Sequence, residues 1–311
     1  MDNRFSYLVD KVRESSLSSE PFEFLLIKDF LNATDYDEIM SLKVINVRGD
    51  DFDELHKNLT ECGYTHQAHP GTFQTIKKYK QWRTKKVHYR KDVQGQRSAD
   101  LCEGGGFAYR LRKEPKIIQD LARIFKSKEM ESAMRDKFNL LSEDVRIDVG
   151  LQKYTHGYEI SPHPDTREKA LTWMLNLNSD PNSYDRDYHT HFLEFKKPYA
   201  YVKSIWESMP DLQRTWVPWS WCHTVFHQKD DNSITIFSPN NKSMHAVKAF
   251  YGDLEHQRTQ IYGNYWYKSV KAKLTAVTYR DLDIDTSVKV GQKKFDGTFQ
   301  KFYRTVLNKI F

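Results

Sequence analysis

Apolar positions along the chain keep two different periods. Between residues 114 and 141 they recur every three or four positions, as Ile117, Ile118, Leu121, Ile124 and Phe125, then Met130, Met134 and Phe138. That spacing lays apolar side chains along one side of a helix. It predicts two helices, the second starting near Ser127, each with one face packed on a sheet. Other apolar runs are short and rich in β-branched and aromatic residues, which suits strands. They occupy 22–30, 145–153, 171–177, 233–238 and 246–250. A helix over 35–42 follows the first of them, with Asn32 or Thr34 as its cap and acids in its first turn. A strand over 221–228 is predicted to form a hairpin with 233–238 through the polar turn 229–232. Residues 3–18 read as a short polar helix and 299–311 as an amphipathic one, with apolar residues at 299, 302, 306 and 310. The stretch 43–112 has no dominant period.

The candidate chemistry sits between two of these strands. His163 and Asp165 stand two positions apart, and in extended backbone such side chains share a side. Two histidines and a carboxylate on one face of a metal ion leave its other face open to small ligands. For the third ligand the candidates are His245, His223, His227 and His256. His245 is preferred because it opens a strand after the polar turn 240–243, follows a buried strand, and precedes a basic residue, Arg258, on the next one. Ligand turn, strand, long excursion, strand, histidine and strand is the order a double-stranded β-helix needs. His156 lacks a carboxylate at strand spacing. His189-Thr190-His191 lacks a nearby acid and reads as structural.

Composition narrows the class. The 311 residues are enough for one large domain, and 39% hydrophobic residues with seven Trp, 18 Tyr and 18 Phe supply an ample core. No apolar run is long enough for a membrane span, and residues 1–20 lack the apolar segment of a signal peptide. Cys62, Cys102 and Cys222 are scattered with no paired spacing, which suits a reducing, cytoplasmic compartment and not structural zinc. A net charge of +6 is too mild to imply nucleic acid by itself. The run 77–91 is basic with interleaved Tyr79, Trp82 and Tyr89. It is either a phosphate-gripping, base-stacking groove or a solvated loop or hairpin beside the active site. Tyr109 and Arg110, just after the flexible turn 102–106, and Arg167, just after the ligand turn, are candidates for substrate contact.

Residues 140–268 resemble the iron(II)/2-oxoglutarate-dependent oxygenases, in their prolyl-4-hydroxylase-like branch. The resemblance is carried by Tyr154-x-x-Gly157, His163-x-Asp165, the Leu-Asn-Leu-Asn run at 175–178, and Phe237 through His245-Ala246-Val247. It implies an α+β, mostly β chain with a double-stranded β-helix (jelly-roll, cupin-like) core over 142–268. That core carries an insertion at 179–231, N-terminal supporting helices within 1–141, and a C-terminal extension at 269–311, all in one oxygenase domain. It further implies Fe(II) on His163, Asp165 and His245, with 2-oxoglutarate and O2 as co-substrates. Arg258 would hold the far carboxylate of 2-oxoglutarate, helped by Tyr154 or, less directly, Asn176. The implied reaction hydroxylates an unactivated C–H of a small molecule, with release of succinate and CO2. An aspartate at 165 favours hydroxylation over halogenation, which needs a small residue there. Two alternatives stay open: the same chemistry on a protein side chain or nucleic acid, and a non-enzymatic jelly-roll binding module. A homodimer through the C-terminal helix is also left open.

Overall fold

The computed structural model describes residues 4–68, 72–84, 106–269 and 279–283. In chain order its elements begin with α1 (Tyr7–Glu14), β1 (Leu17–Ser18), β2 (Phe24–Ile27), α2 (Ala33–Met40), α3 (Phe52–Glu61), β3 (Tyr64–His66), α4 (Ile76–Arg83) and β4 (Ala108–Leu111). Next come α5 (Lys116–Phe125), α6 (Lys128–Phe138), β5 (Val145–Tyr154), β6 (Ile160–His163), β7 (Lys169–Asn176) and β8 (Thr190–Phe195). Then follow α7 (Tyr201–Ser208), β9 (Cys222–His227), β10 (Ile234–Phe237), β11 (His245–Val247), β12 (Arg258–Tyr267) and α8 (Tyr279–Leu282). Caps fall where the side chains allow: Asn32 accepts from the Asp35 amide and Ser127 from the Met130 amide.

The strands form two antiparallel sheets. The larger runs β1-β2-β10-β7-β12-β5-β4-β3 and the smaller β6-β11-β8-β9. From β5 onward the chain passes back and forth between them: β5 large, β6 small, β7 large, β8 and β9 small, β10 large, β11 small, β12 large. This winding is a double-stranded β-helix. Its longest pairing sets Arg258 opposite Tyr154 and continues to Tyr267 opposite Val145.

Each sheet buries its outer face under helices, and the apolar periods explain how. Residues of α1, α5 and α6 join one cluster with the outward side chains of the large sheet. At its centre Phe125 stacks on Trp173, with centroids 5.2 Å apart. Trp173 also lies across Gly263, its partner on β12, where an added Cβ would come within 2.2 Å of the indole. Leu193 and Phe195 of the small sheet pack with Val202 and Trp206 of α7. Between the sheets, Phe22, Phe24, Phe192 and Phe237 fill the space beside the cavity described below.

Two expectations change. The predicted 221–238 hairpin does not form, because β9 pairs with β8 in the small sheet while β10 lies between β2 and β7 in the large one. Residues 228–233 instead carry the chain across. The buried Gln228 amide donates to Met174 O and Ser233 O (both 2.9 Å), so the crossing backbone is hydrogen-bonded without a ladder. In the basic run, residues 77–83 form most of α4 rather than a loop. Tyr79 is buried and stacks on Phe107, and Trp82 covers Gly157, where an added Cβ would lie 2.2 Å from the indole. Arg83 is tied to Asp253 at 2.6 Å. The aromatics of this half therefore serve the core. Residues 85–91, the turn at 102–105 and the helix expected at 299–311 lie outside the described residues. Among the described residues, no helix is long and apolar enough to cross a membrane.

Lys153 on β5 is fully buried, and among the described residues its side-chain nitrogen donates to neutral acceptors alone, Ile45 O (2.6 Å) and Thr259 Oγ1 (2.9 Å). Burial disfavours the charged form and lowers its pKa from 10.5 to about 7. Between those values the unfolded chain holds a proton that the folded protein has released. Stability should therefore climb as pH rises through that window, with a slope of up to about 1.4 kcal/mol per pH unit. Urea unfolding of wild type and Lys153→Met should show the difference moving in favour of wild type from about pH 7 upward. Parallel curves would mean an ordinary lysine.

Candidate metal and co-substrate site

β6 is an edge strand of the small sheet, so Pro162 within it interrupts no ladder that the fold needs. It ends at His163, directly opposite His245, the first residue of β11. The two imidazole centroids are 4.3 Å apart. Each ring donates its Nδ1–H to the carbonyl two residues back on its own chain: His163 to Ser161 at 2.9 Å and His245 to Ser243 at 3.0 Å. A carbonyl only accepts, so the proton is on Nδ1 and both Nε2 lone pairs are free.

Asp165 completes the set, though not through extended backbone as expected. Its φ is +62°, in the left-handed region that aspartate enters more readily than most side chains. The turn swings the carboxylate back toward both rings. Oδ1 lies 3.5 Å from His163 Nε2 and Oδ2 3.7 Å from His245 Nε2. All three ligand atoms fall within 4.8 Å of one another. The carboxylate is held from β7, where Lys169 donates to Oδ1 (2.7 Å) and Thr172 to Oδ2 (2.7 Å). Arg214 Nε donates to the Asp165 carbonyl at 3.1 Å. Burial works to raise the Asp165 pKa, but Lys169, His245 and His163 together hold it well below the usual range. Burial, then His163, pushes His245 down to about 3. At neutral pH the group thus presents a carboxylate and a neutral His245 imidazole, the protonation states that ligate metals. Two imidazole nitrogens and one carboxylate fit a divalent first-row metal such as Fe(II).

These residues open onto a cavity of about 350 Å³ lined from both sheets. Arg258 also lines it and is fully buried, with its guanidinium 4.8 Å over the Tyr154 ring. Its Nη2 donates to Gln260 Oε1 (2.7 Å) and Thr190 Oγ1 (3.1 Å), and its Nε has no partner. Among the described residues no carboxylate pairs with it, so a surface salt bridge does not account for it. A buried cation with an orphaned donor is costly unless an anion joins it. A shallower hollow of about 520 Å³ beside Lys28, Asp180 and Asp230 contains no imidazole.

The structure sorts the other nominated residues. Tyr154 lines the cavity, but its hydroxyl is engaged by Gln152 Oε1 (2.6 Å) and Gln260 Nε2 (2.7 Å). Thr190, at the start of β8, also brings a hydroxyl to the guanidinium, at 3.1 Å. Asn176 does not reach the cavity; its amide donates to Gln228 O (2.9 Å) and Asp230 O (3.3 Å), bracing the crossing between the sheets. Tyr109 is also elsewhere, bonded to His56 Nδ1 at 2.6 Å. Arg167 spends its guanidinium on the carbonyls of Leu212 and Trp206, at 2.8 and 2.7 Å. Arg110 stands one layer out, bound to the cavity residue Asp148 at 3.1 Å. Sequence reading missed Thr172, Thr190, Arg214 and Gln260; it weighed Lys169, beside Arg167, as a contact for an anionic substrate or a solvated residue, and Trp216 as core or pocket lining, but gave Lys169 no part in holding Asp165. Among these, Thr172 carried a signal, since it shares with Met174 the inward parity of the buried strand that follows the ligand turn; Lys169, three positions before it, has the opposite parity and reaches the cavity because the β7–β12 register shifts at that end.

Of the rival histidines, His223 is exposed beside Glu194 and His256 lies near Ser179. His156 is packed against Trp82 and Tyr251. His191 and His227 do meet an acid, contrary to expectation: Asp187, whose Oδ1 is 3.4 Å from His191 Nε2.

No protein-family model matches the chain, and no curated protein does. Solved structures show a distant likeness. A prolyl hydroxylase from Trichoplax adhaerens, in complex with a peptide fragment of the hypoxia inducible factor oxygen degradation domain, is 11% identical with a TM-score of 0.40, covering 86% of this chain and 93% of its own. HygX from Streptomyces hygroscopicus, with nickel, 2-oxoglutarate and hygromycin B bound, is 8% identical with a TM-score of 0.37, covering 81% and 85%. A Pseudomonas putida prolyl-4-hydroxylase is 12% identical with a TM-score of 0.33, covering 68% and 97%.

Thr172→Val keeps the shape of the side chain and removes the hydroxyl that holds Asp165 Oδ2. Metal affinity, read by competition with a chromophoric chelator, is expected to fall about 10- to 100-fold. Circular dichroism should be unchanged. Unaltered affinity would mean that Lys169 alone orients the carboxylate.

Proposed function

We propose that this protein is an Fe(II)- and 2-oxoglutarate-dependent oxygenase that hydroxylates a C–H bond of a small molecule. One observation carries the reading: a single cavity holds a His163–Asp165–His245 ligand set and, on its wall, the buried and unpaired guanidinium of Arg258. The first is what a redox metal needs, and the second is what a dicarboxylate needs at its far end. His163, Asp165 and His245 would hold the metal. When bound, iron supplies the redox chemistry by which O2 and 2-oxoglutarate become an oxidant, succinate and CO2.

The chain's own residues do the rest. Thr172 and Lys169 fix the orientation of the ligand carboxylate. The Nδ1–H bonds to Ser161 and Ser243 fix the orientation of both imidazoles so that each Nε2 aims inward. Arg258, with Thr190 and Gln260 beside it, orients the co-substrate by its far carboxylate. The tiling of phenylalanines on one side and Trp216 on another limits water at the reacting carbon. The cavity has the volume of a small-molecule site, and once 2-oxoglutarate is seated little room remains for a polymer segment. The burial of Tyr79 and the packing of Trp82 on Gly157 also lower the case for a nucleic-acid groove.

The test is an anaerobic titration with Fe(II) and 2-oxoglutarate, followed by the weak visible metal-to-ligand charge-transfer band. The band should require both additions and vanish in Asp165→Ala. Arg258→Gln should keep iron but need about 100-fold more 2-oxoglutarate, the scale of losing a buried charge partner. Wild-type protein that binds neither iron nor 2-oxoglutarate would overturn the proposal and leave a jelly-roll binding module.

A further inference from the structure

We infer that the substrate carries an anionic group, a carboxylate or a phosphate, and that Arg214 is the residue that binds it beside the metal. This rests on the oxygenase reading above, in which Arg258 is taken by the co-substrate. Among the described residues, three cationic side chains line the cavity: Lys169, Arg214 and Arg258. Lys169 is matched by Asp165 at 2.7 Å. Arg258 is matched by the far carboxylate of 2-oxoglutarate. Arg214 is left over. It is only 8% exposed, its Nε donates to the main-chain carbonyl of Asp165, and its terminal nitrogens bond nothing among the described residues. No carboxylate among the described residues is in ion-pair range of it. Burial and the nearby Arg167 lower its pKa to about 10, with Asp165 opposing, so it remains charged at neutral pH. A desolvated charge left without a partner is unfavourable, and a bound anion is the direct remedy.

The position of Arg214 says where that anion would lie. Its Nε clamps the backbone of a metal ligand, so the free edge of the guanidinium is one residue away from the ligand set. A planar guanidinium edge matches two oxygens of a carboxylate or phosphate. Two residues further on, Trp216 lines the same cavity with its ring 6.1 Å from that of His163. The segment is anchored by Val217 N to Pro162 O at 2.9 Å, which ties it to the ligand strand itself. The arrangement fits a compact substrate with a flat or apolar body against Trp216 and an anionic end on Arg214. A strongly cationic substrate would meet an unpaired guanidinium and be disfavoured.

The experiment uses Ni(II) and N-oxalylglycine, an inert stand-in for 2-oxoglutarate, to fill the metal and Arg258 sites. Full-length protein so loaded is titrated calorimetrically with benzoate, phenyl phosphate, benzamide and benzylamine, which share a ring and differ in charge. The expected result is binding of benzoate or phenyl phosphate about tenfold or more tighter than benzamide, the scale of one charge-assisted pair, with benzylamine weakest. The better of the two anions identifies the group. In Arg214→Gln the preference should collapse to about onefold while N-oxalylglycine still binds, and Arg214→Lys should restore part of it. Equal binding of the neutral and anionic probes to wild type, or an anion preference that survives in Arg214→Gln, would overturn the proposal. Loss of N-oxalylglycine itself in Arg214→Gln would also overturn it, by making Arg214 a co-substrate anchor. Failure of wild type to take up nickel and N-oxalylglycine would instead defeat the oxygenase reading, and this proposal with it.

Discussion

A buried carboxylate kept charged is the constraint on which the site depends. Asp165 is inaccessible to bulk water, and its oxygens are held by Lys169 and Thr172 of the large sheet while facing His163 and His245 of the small one. One side chain thereby joins both sheets. Removing either cation or hydroxyl would leave a desolvated acid short of partners, the most expensive kind of vacancy in an interior. The left-handed backbone at Asp165 is what makes this geometry available. In an extended conformation the carboxylate would follow the strand and could not meet β7 and both imidazoles at once. The local strain is offset by bonds to the carbonyls around it, from Arg214 to Asp165 and from Ser243 to Pro164.

The opposite wall of the cavity follows the same logic with the charge reversed. Arg258 and Tyr154 face each other across β12 and β5, and Gln260 faces Gln152 two residues on. The Tyr154 hydroxyl bridges the two glutamines, and Gln260 reaches Arg258. Thr190 approaches from the small sheet. Among the described residues of this network, Arg258 Nε is a fully buried donor left without a partner. Buried polar networks are stabilising when complete and costly when one member is short. An anion on Arg258 would complete this one, which is why the defect reads as a binding site rather than a flaw of packing.

Much of this was legible in the sequence, for identifiable reasons. Helices α5 and α6 and strands β5, β7, β9 and β10 emerged at close to their final bounds because their apolar periods are long or their composition decisive. His163, Asp165, His245 and Arg258 could be nominated because metal and carboxylate chemistry demands particular residue types at particular places. What failed was whatever depends on register or on crossing between sheets. The turn before β10 looks like a hairpin locally, and only the global winding sends β9 and β10 to different sheets. Asn176 has the right type and nearly the right place, yet it sits at the end of β7 where the backbone needs its amide. Arg167 and Arg214 are both arginines near the ligand turn. Which one faces the cavity is decided by how the 209–218 segment folds back on β6, and no local pattern encodes that. Residues 43–84 resisted reading because α3, β3 and α4 are short and owe their stability to packing, as Tyr79 against Phe107 illustrates.

The two clusters of histidine and aspartate show why residue type alone does not make a ligand site. In the first, each imidazole gives its Nδ1 proton to a carbonyl of its own chain, so both Nε2 lone pairs converge on Asp165. In the second, His191 Nε2 lies 3.1 Å from the main-chain oxygen of Asp187. An imidazole nitrogen at that distance from a carbonyl must carry the proton, so it has no lone pair to offer. Asp187 is more than half exposed, and its other oxygen is held by Lys248 at 2.6 Å. His227 stacks on His191 with centroids 3.8 Å apart and an interplanar angle of 21°, so these rings lie nearly parallel instead of pointing toward a shared centre. The outer cluster is a hydrogen-bonded brace between β8 and β9. The inner one differs from it by the direction of two protons, and that difference comes from which backbone carbonyls the strands at Ser161 and Ser243 present.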